Sequence, residues 1–275
     1  MAIGGREQAP CPLIQPCTNW GKAMATLANL EDEMHRLIAA AQQEDIFLRV
    51  IGGLAVKVHS PHASHRSLER KYPDIDFVTD KAGAKKLLSF LAAMDYTPNK
   101  TFNTLSGDRR QLWYDEVQGR QIDVFIGDFT MCHTLPLADR LEVEPLTIPL
   151  AELFLSKAQI VELNRKDILD LLALLLDHEV GTGDDETINS ELISGLCSRD
   201  WGLYTTVSMT IQKLRGFLDE DQIDLDEEEA QTVKRRLTTL QKAMDEAPKT
   251  MAWKMRARVG TRVRWYEEVE EVQRT

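Results

Sequence analysis

The chain has 275 residues, with 33 basic and 44 acidic side chains and a formal net charge of −11. A hydrophobic share of 43% supports a packed core, which excludes disorder as the main state and excludes low-complexity or collagen-like chains. The acidic balance argues against a protein that coats nucleic acid with its whole surface, because phosphate binding needs Lys and Arg, but it leaves room for a local basic site.

Residues 1–19 hold three prolines and read as an irregular lead-in. Over 20–43, Leu27, Leu30, Met34, Leu37 and Ile38 recur at helical spacing. Residues 46–53, IFLRVIGG, read as a buried strand closed by a glycine turn, and 54–60 as the start of a helix that Pro61 ends. Residues 62–73 are polar and loop-like, 74–80 (DIDFVTD) alternate as a strand, and 81–95 form a helix. Residues 96–127 predict a three-strand meander. From 150 the pattern is helical: 150–163, then RKDILDLLALLLDHE, a break at Gly181–Asp185, and two long helices over about 224–246 and 250–272. Strands cluster in one region and helices in another, which predicts an α+β fold, a small mixed sheet with flanking helices. The expected division is a lead at 1–19, an α/β domain at 20–180 and a helical C-terminal domain at 181–275.

Four cysteines, Cys11, Cys17, Cys132 and Cys197, form no CxxC pair, so neither a zinc or redox motif nor a disulfide scaffold is expected. The longest apolar run, LLALLL at 171–176, is too short to span a bilayer, and the N-terminus lacks a signal-peptide apolar core. A cytoplasmic location without membrane contact is expected.

The most informative segment is Asp74-Ile75-Asp76. On a strand, i and i+2 share a face, so Asp74 and Asp76 project together and repel unless a cation sits between them. Mg²⁺ or Mn²⁺ takes oxygen ligands of this kind, commonly carboxylates plus substrate phosphates. Asp123 is a charged residue in an apolar strand, costly unless paired or metal-bound. Three carboxylates from neighbouring strands could hold ions for nucleotidyl transfer. D-x-D also occurs on strand ends without a ligand. The pair Gly52-Gly53 lets backbone approach a phosphate at a helix N-terminus, or simply makes a tight turn. It fits neither a Walker A loop nor GxGxxG.

The order Gly52-Gly53-Leu54-Ala55, then Arg70 with Asp74-Ile75-Asp76, then Ile122-Asp123-Val124, resembles the nucleotidyltransferase superfamily related to DNA polymerase β. Leu155-Ser156-Lys157 and Arg165-Lys166-Asp167-Ile168-Leu169-Asp170-Leu171 look like the SK…R…KDxxDL segment of its AbiEii-like branch, which includes toxins of toxin–antitoxin and phage-defence systems. The resemblance covers roughly residues 45–178. It implies a nucleotidyltransferase core in which Gly52, Gly53 and Arg70 meet the nucleotide, and Asp74, Asp76 and Asp123 bind metal. Lys157 would contact the triphosphate, and Asp167 or Asp170 would support the site. Two departures bear on the substrate: a long gap between Gly53 and Asp74, and Tyr72-Pro73 where a small polar residue is usual.

The implied activity is metal-dependent transfer of a nucleoside monophosphate from NTP to an acceptor, whether tRNA, protein or small molecule, with Asp123 as base and an antitoxin protein as a possible partner. The alternative is an inactive member of the fold that binds nucleotide or protein. His59, His62 and His65 lack zinc-finger partners, and the acidic stretch 219–229 lacks the EF-hand glycine and reads as a helix start. Residues 249–265 carry six basic side chains without an acid, flanked by Trp253 and Trp265. This segment suits an RNA backbone and stacked bases, or a basic face packed on the acidic bulk and paired with the Glu residues at 267–271.

Overall fold

The computed structural model describes residues 25–64, 67–220 and 223–268. The lead-in, Cys11, Cys17, His65 and the last acidic residues of 267–271 lie outside them. Helix α1 (Leu30–Gln43) begins ten residues later than the expected helix at 20. Asn29 sets its start by accepting from the amides of Glu31 and Asp32 at 2.9 and 3.0 Å. Met34, Leu37, Ile38 and Ala41 form its buried stripe.

Strand β1 (Leu48–Ile51) runs straight into α2 (Gly52–His59), so the two glycines open a helix rather than close a separate turn. A short 3-10 turn at Pro61–Ser64 follows. Strand β2 (Ile75–Thr79) leads to α3 (Lys81–Ala93), whose start is capped by Asp80 accepting from the Gly83 amide at 2.6 Å. Next come β3 (Thr97–Pro98), α4 (Lys100–Ser106), β4 (Arg110–Asp115) and β5 (Arg120–Ile126).

The predicted meander is thus interrupted by a helix. Pro98 has no amide to extend β3, and Asn99 caps α4 by accepting from Phe102 N at 3.0 Å. The sheet order is β1-β2-β5-β4-β3. β2 and β5 are parallel at its centre, and the other pairings are antiparallel. The outer side of β1 is bridged by the segment before α5: Val50 N donates to Leu146 O and Ile148 N to Val50 O, both at 3.0 Å.

A small hairpin, β6 (Phe129–Thr130) with β7 (Thr134–Leu135), precedes α5 (Leu150–Ala158) and α6 (Arg165–Asp177). The helix expected to reach 163 stops at Ala158, and Asn164 starts the next one by accepting from Asp167 N at 3.0 Å. The expected break near Gly181 is flanked by a two-stranded parallel pair, β8 (Glu179–Gly181) and β9 (Thr187–Asn189). Helices α7 (Ser190–Arg199), α8 (Trp201–Asp219), α9 (Glu227–Glu246) and α10 (Met251–Val259) complete the described chain.

The acidic stretch does open α9, through a capping box between Asp226 and Glu229. The expected last helix to 272 ends at Val259 because Gly260, with φ of 61°, turns out of helical conformation. Mixed α+β architecture is therefore as expected. A hydrophobic cluster runs from Met34 through Phe77, Trp113 and Phe154 to Met244, with α5 and α6 packed against α2 on one side and α7 and α9 on the other. Among the described residues, no helix is long and apolar enough to cross a membrane.

Polar groups also lie within this core, Glu33 among them. The buried Glu33 receives two hydrogen bonds from Arg36, at 2.7 and 2.8 Å, and one from Tyr96 Oη at 2.7 Å. Removing the carboxylate strands the Arg36 charge away from water. Glu33→Ala should therefore cost about 3–5 kcal/mol, measured by urea unfolding, whereas Tyr96→Phe should cost about 1 kcal/mol.

Candidate functional site

The sheet assembles the site through its central strands. Asp76 on β2 pairs with Ile51 on one side and with Asp123 of β5 on the other. Residues paired across a parallel ladder show the same face, so the two carboxylates stand side by side. Immediately beyond Ile51, Gly52 turns the chain into α2 with φ of 77°. A Cβ there would lie 2.4 Å from Asp76 Oδ2, so glycine is required both by the backbone angle and by the approach of the carboxylate.

Each predicted site residue has a definite place. Asp123 is nearly buried and accepts from Arg110 Nε and Nη2 at 2.8 and 3.0 Å, and from Gln121 Nε2 at 3.1 Å. Asp74 accepts from Gln121 N at 3.2 Å, which ties it to the start of β5. No hydrogen bond or ion pair reaches the Asp76 carboxylate among the described residues. Burial, and then the neighbouring Asp123, push its pKa up to about 7, against the opposing pull of Lys157 and Arg110.

A second layer lies behind Gly53. A Cβ on Gly53 would fall 1.8 Å from Arg70 Nη2. Arg70 grips Asp170 with a two-pronged contact, both bonds at 2.7 Å, and stacks on Tyr72 at 4.2 Å. Lys157 Nζ sits 3.0 Å from Asp170 Oδ2 and 3.2 Å from Asp167 Oδ1. Burial works to lower its ammonium pKa, but Asp170 and Asp167 outweigh this and raise it. Asp167 thus serves both as a first-turn charge of α6 and as a partner of Lys157.

Gly52, Asp76, Lys157 and Asp167 open onto one cleft of about 650 Å³, with Arg110 at its side and Phe125, Phe129 and Met131 as an apolar wall. Asp74, Gly53, Arg70 and Asp170 support this cleft from behind rather than line it. Sequence reasoning missed Arg110, whose link to Asp123 depends on cross-strand register: Leu112 is the direct partner of Asp123, and Arg110 reaches it diagonally. It also missed the wall formed by Tyr266, Glu267 and Glu268. Glu267 N donates to Cys132 O at 3.0 Å, and Trp265 Nε1 to Thr206 Oγ1 at 3.0 Å, which hold that segment across the cleft mouth. His59 and His62 lie elsewhere, His59 on Thr147 and His62 on Asp177.

Among the described residues, no group of three or more His, Cys, Asp or Glu is arranged to hold a metal ion. Asp74 faces the β5 backbone, and Arg110 engages Asp123. Asp76 offers the cleft an unbonded carboxylate of the kind a hard divalent cation takes together with phosphate oxygens and water, whereas both oxygens of Asp123 are engaged by Arg110 and Gln121.

A scan against protein-family models finds none that matches the chain, and a search of curated proteins returns no match.

Two outcomes follow from this geometry. The folded pKa of Asp76 lies above its unfolded value, so the folded state binds the extra proton between about pH 4 and 7, and Asp76 costs stability as pH rises through that window. Asp76→Asn should flatten this decline in metal-free protein and raise stability at pH 8 by an amount on the order of 1–3 kcal/mol, read from unfolding midpoints across pH. Gly52→Ala should lose about 1–3 kcal/mol through left-handed strain and the clash with Asp76, measured the same way.

Proposed function

We propose that the chain is a metal-dependent nucleotidyltransferase that moves a nucleoside monophosphate from NTP to an acceptor. One observation carries this reading: Asp76 is paired with Asp123 on parallel strands and lies directly beside the glycine that opens α2, and Asp76 and Gly52 line a cleft large enough for a nucleotide. The match of Gly52-Gly53, Asp74-Ile75-Asp76, Asp123 and Lys157 to the superfamily pattern points the same way.

In this reading Asp76 and Asp123 hold Mg²⁺ or Mn²⁺. The bound ion would supply charge stabilisation at the phosphate oxygens and the leaving pyrophosphate. Gly52 lets the phosphates approach the backbone at the start of α2. Lys157 faces the cleft and offers its charge to the triphosphate, while Arg70 and Asp170 hold it in place from behind. The apolar wall of Phe125, Phe129 and Met131 gives the base a dry surface. Asp76 is the carboxylate more open to the ion, since it has no hydrogen-bond partner among the described residues, whereas Arg110 and Gln121 occupy the oxygens of Asp123.

For this reading the acceptor is RNA, protein or a small molecule. A toxin role would add an antitoxin as partner.

A second reading has its own support. Arg110 fills the position of a cation beside Asp123, and Asp167 and Asp170 neutralise Lys157, as in a nucleotide- or protein-binding module without turnover.

Incubation with NTPs labelled at the α-phosphate, Mg²⁺, and total RNA or protein separates the two. The enzyme reading expects label on one acceptor class and a loss of at least about a hundredfold in Asp76→Asn and Asp123→Asn. Activity undiminished in both variants would rule it out. Mg²⁺-dependent NTP binding without transfer would favour the second reading.

A further inference from the structure

Among the described residues, helix α10 is held on one side. Thr250 N donates to Ser198 O at 3.1 Å, and the Thr250 hydroxyl caps the helix by accepting from Trp253 N at 3.2 Å. The Trp253 ring meets Tyr204 edge-on at 5.3 Å. The Arg256 guanidinium lies 4.6 Å over Trp201 and donates to the carbonyls of Gly260 and Val263 at 2.7 and 2.8 Å. These contacts fix the rotation of the helix about its axis.

At about 100° per residue, Met251, Met255 and Val259 then fall on the opposite face, as a stripe at i, i+4 and i+8. They are 71%, 65% and 41% exposed, and Val263 beyond them is 59% exposed. Lys254 and Arg258 flank the stripe and Arg262 follows it; all three are exposed, with no acidic partner among the described residues. Single exposed apolar residues are ordinary, but an aligned stripe beside charges of one sign marks a contact surface.

We propose that this outer face of α10 docks an acidic, amphipathic helix from a partner protein. The charge is complementary: on a chain of net charge −11 this face is basic, so an acidic partner is drawn here and repelled elsewhere. The i, i+4, i+8 spacing matches the ridge that a second helix packs against, and methionine adapts its shape to such partners.

RNA is the weaker occupant. The aromatic rings that would stack on bases are turned inward, Trp253 onto Tyr204 and Trp265 onto Trp201 and Thr206, so the exposed apolar side chains are aliphatic or thioether. A lipid surface favours Trp, Phe and Leu on the buried face, where this helix offers Met and Val. The surface is separate from the cleft, and the inference stands without the nucleotidyltransferase reading.

The test uses the full chain and a fluorescent, synthetic 18-residue peptide with Leu at i, i+3, i+4 and i+7 and Glu elsewhere, titrated by anisotropy at low and high salt. The expected result is saturable binding that weakens with salt and falls at least about tenfold in Met255→Glu and in Arg258→Glu. Met255→Ala serves as a milder variant, with circular dichroism checking the fold. Bound peptide should slow hydrogen exchange across 251–263. Peptide binding unchanged in all three variants would overturn the proposal. So would tighter binding of poly(U) RNA or phosphatidylserine vesicles that the same variants abolish. Strong protection of 251–263 in the free chain would also overturn it, because another part of the protein or a second copy would then cover the face.

Discussion

Parallel pairing of β2 with β5 forces two carboxylates together, and the cleft is organised around that repulsion. Like charges at adjacent positions of a half-buried sheet are unfavourable unless something answers them. Here the two are answered differently. Arg110 and Gln121 satisfy Asp123, so its charge is paired. Asp76 has no such partner and instead holds its proton to near neutral pH. The asymmetry makes one carboxylate a fixed anchor and leaves the other free to respond to a ligand. It also requires a residue without a side chain at position 52, since any Cβ would press on Asp76.

Behind this pair, the charges are arranged for placement rather than for net attraction. Arg70 and Lys157 together face Asp167 and Asp170, a balanced set that links the approach to β2 with α5 and α6. Arg70 sits where Gly53 leaves room, so the second glycine serves the support layer as the first serves the carboxylate. Lys157 carries the longer contacts in this set, and its ammonium lines the cleft, whereas the Arg70–Asp170 fork is short and two-pronged. The Arg70–Asp170 contact is thus the two-pronged, charge-assisted fork of the set, and Lys157 is held between two carboxylates.

Much of this was legible in the chain itself. Asp74-Ile75-Asp76 and the lone Asp123 in an apolar strand advertised themselves because charge in such strands is costly, and Gly52-Gly53 because a paired glycine before a helix has few uses. The α+β class followed from strands clustering ahead of helices. Pairing was not legible. That Asp123 lies beside Asp76 depends on β5 crossing to the parallel position, and Arg110 becomes its partner only through a diagonal contact between β4 and β5. Helix α4 was hidden because KTFNTLS lacks an apolar stripe and is set by Asn99 and Pro98 instead. The overlong last helix came from reading a good helical pattern through Gly260, whose positive φ ends it. The inward turn of Trp253 and Trp265 likewise depends on tertiary contacts with Tyr204, Trp201 and Thr206, so the aromatic residues of the basic segment looked available when they are not.

The borders of the sheet bear on how the protein meets other chains. Open strand borders recruit further strands and seed aggregation, a hazard for an edge segment as apolar as LRVI. Here the backbone around Val50 is already engaged with Leu146 and Ile148, and the far border is a two-residue strand containing Pro98. Main-chain templating is thereby discouraged at both ends. Contacts of this sheet with other chains are left to side chains, which carry sequence information that backbone pairing lacks.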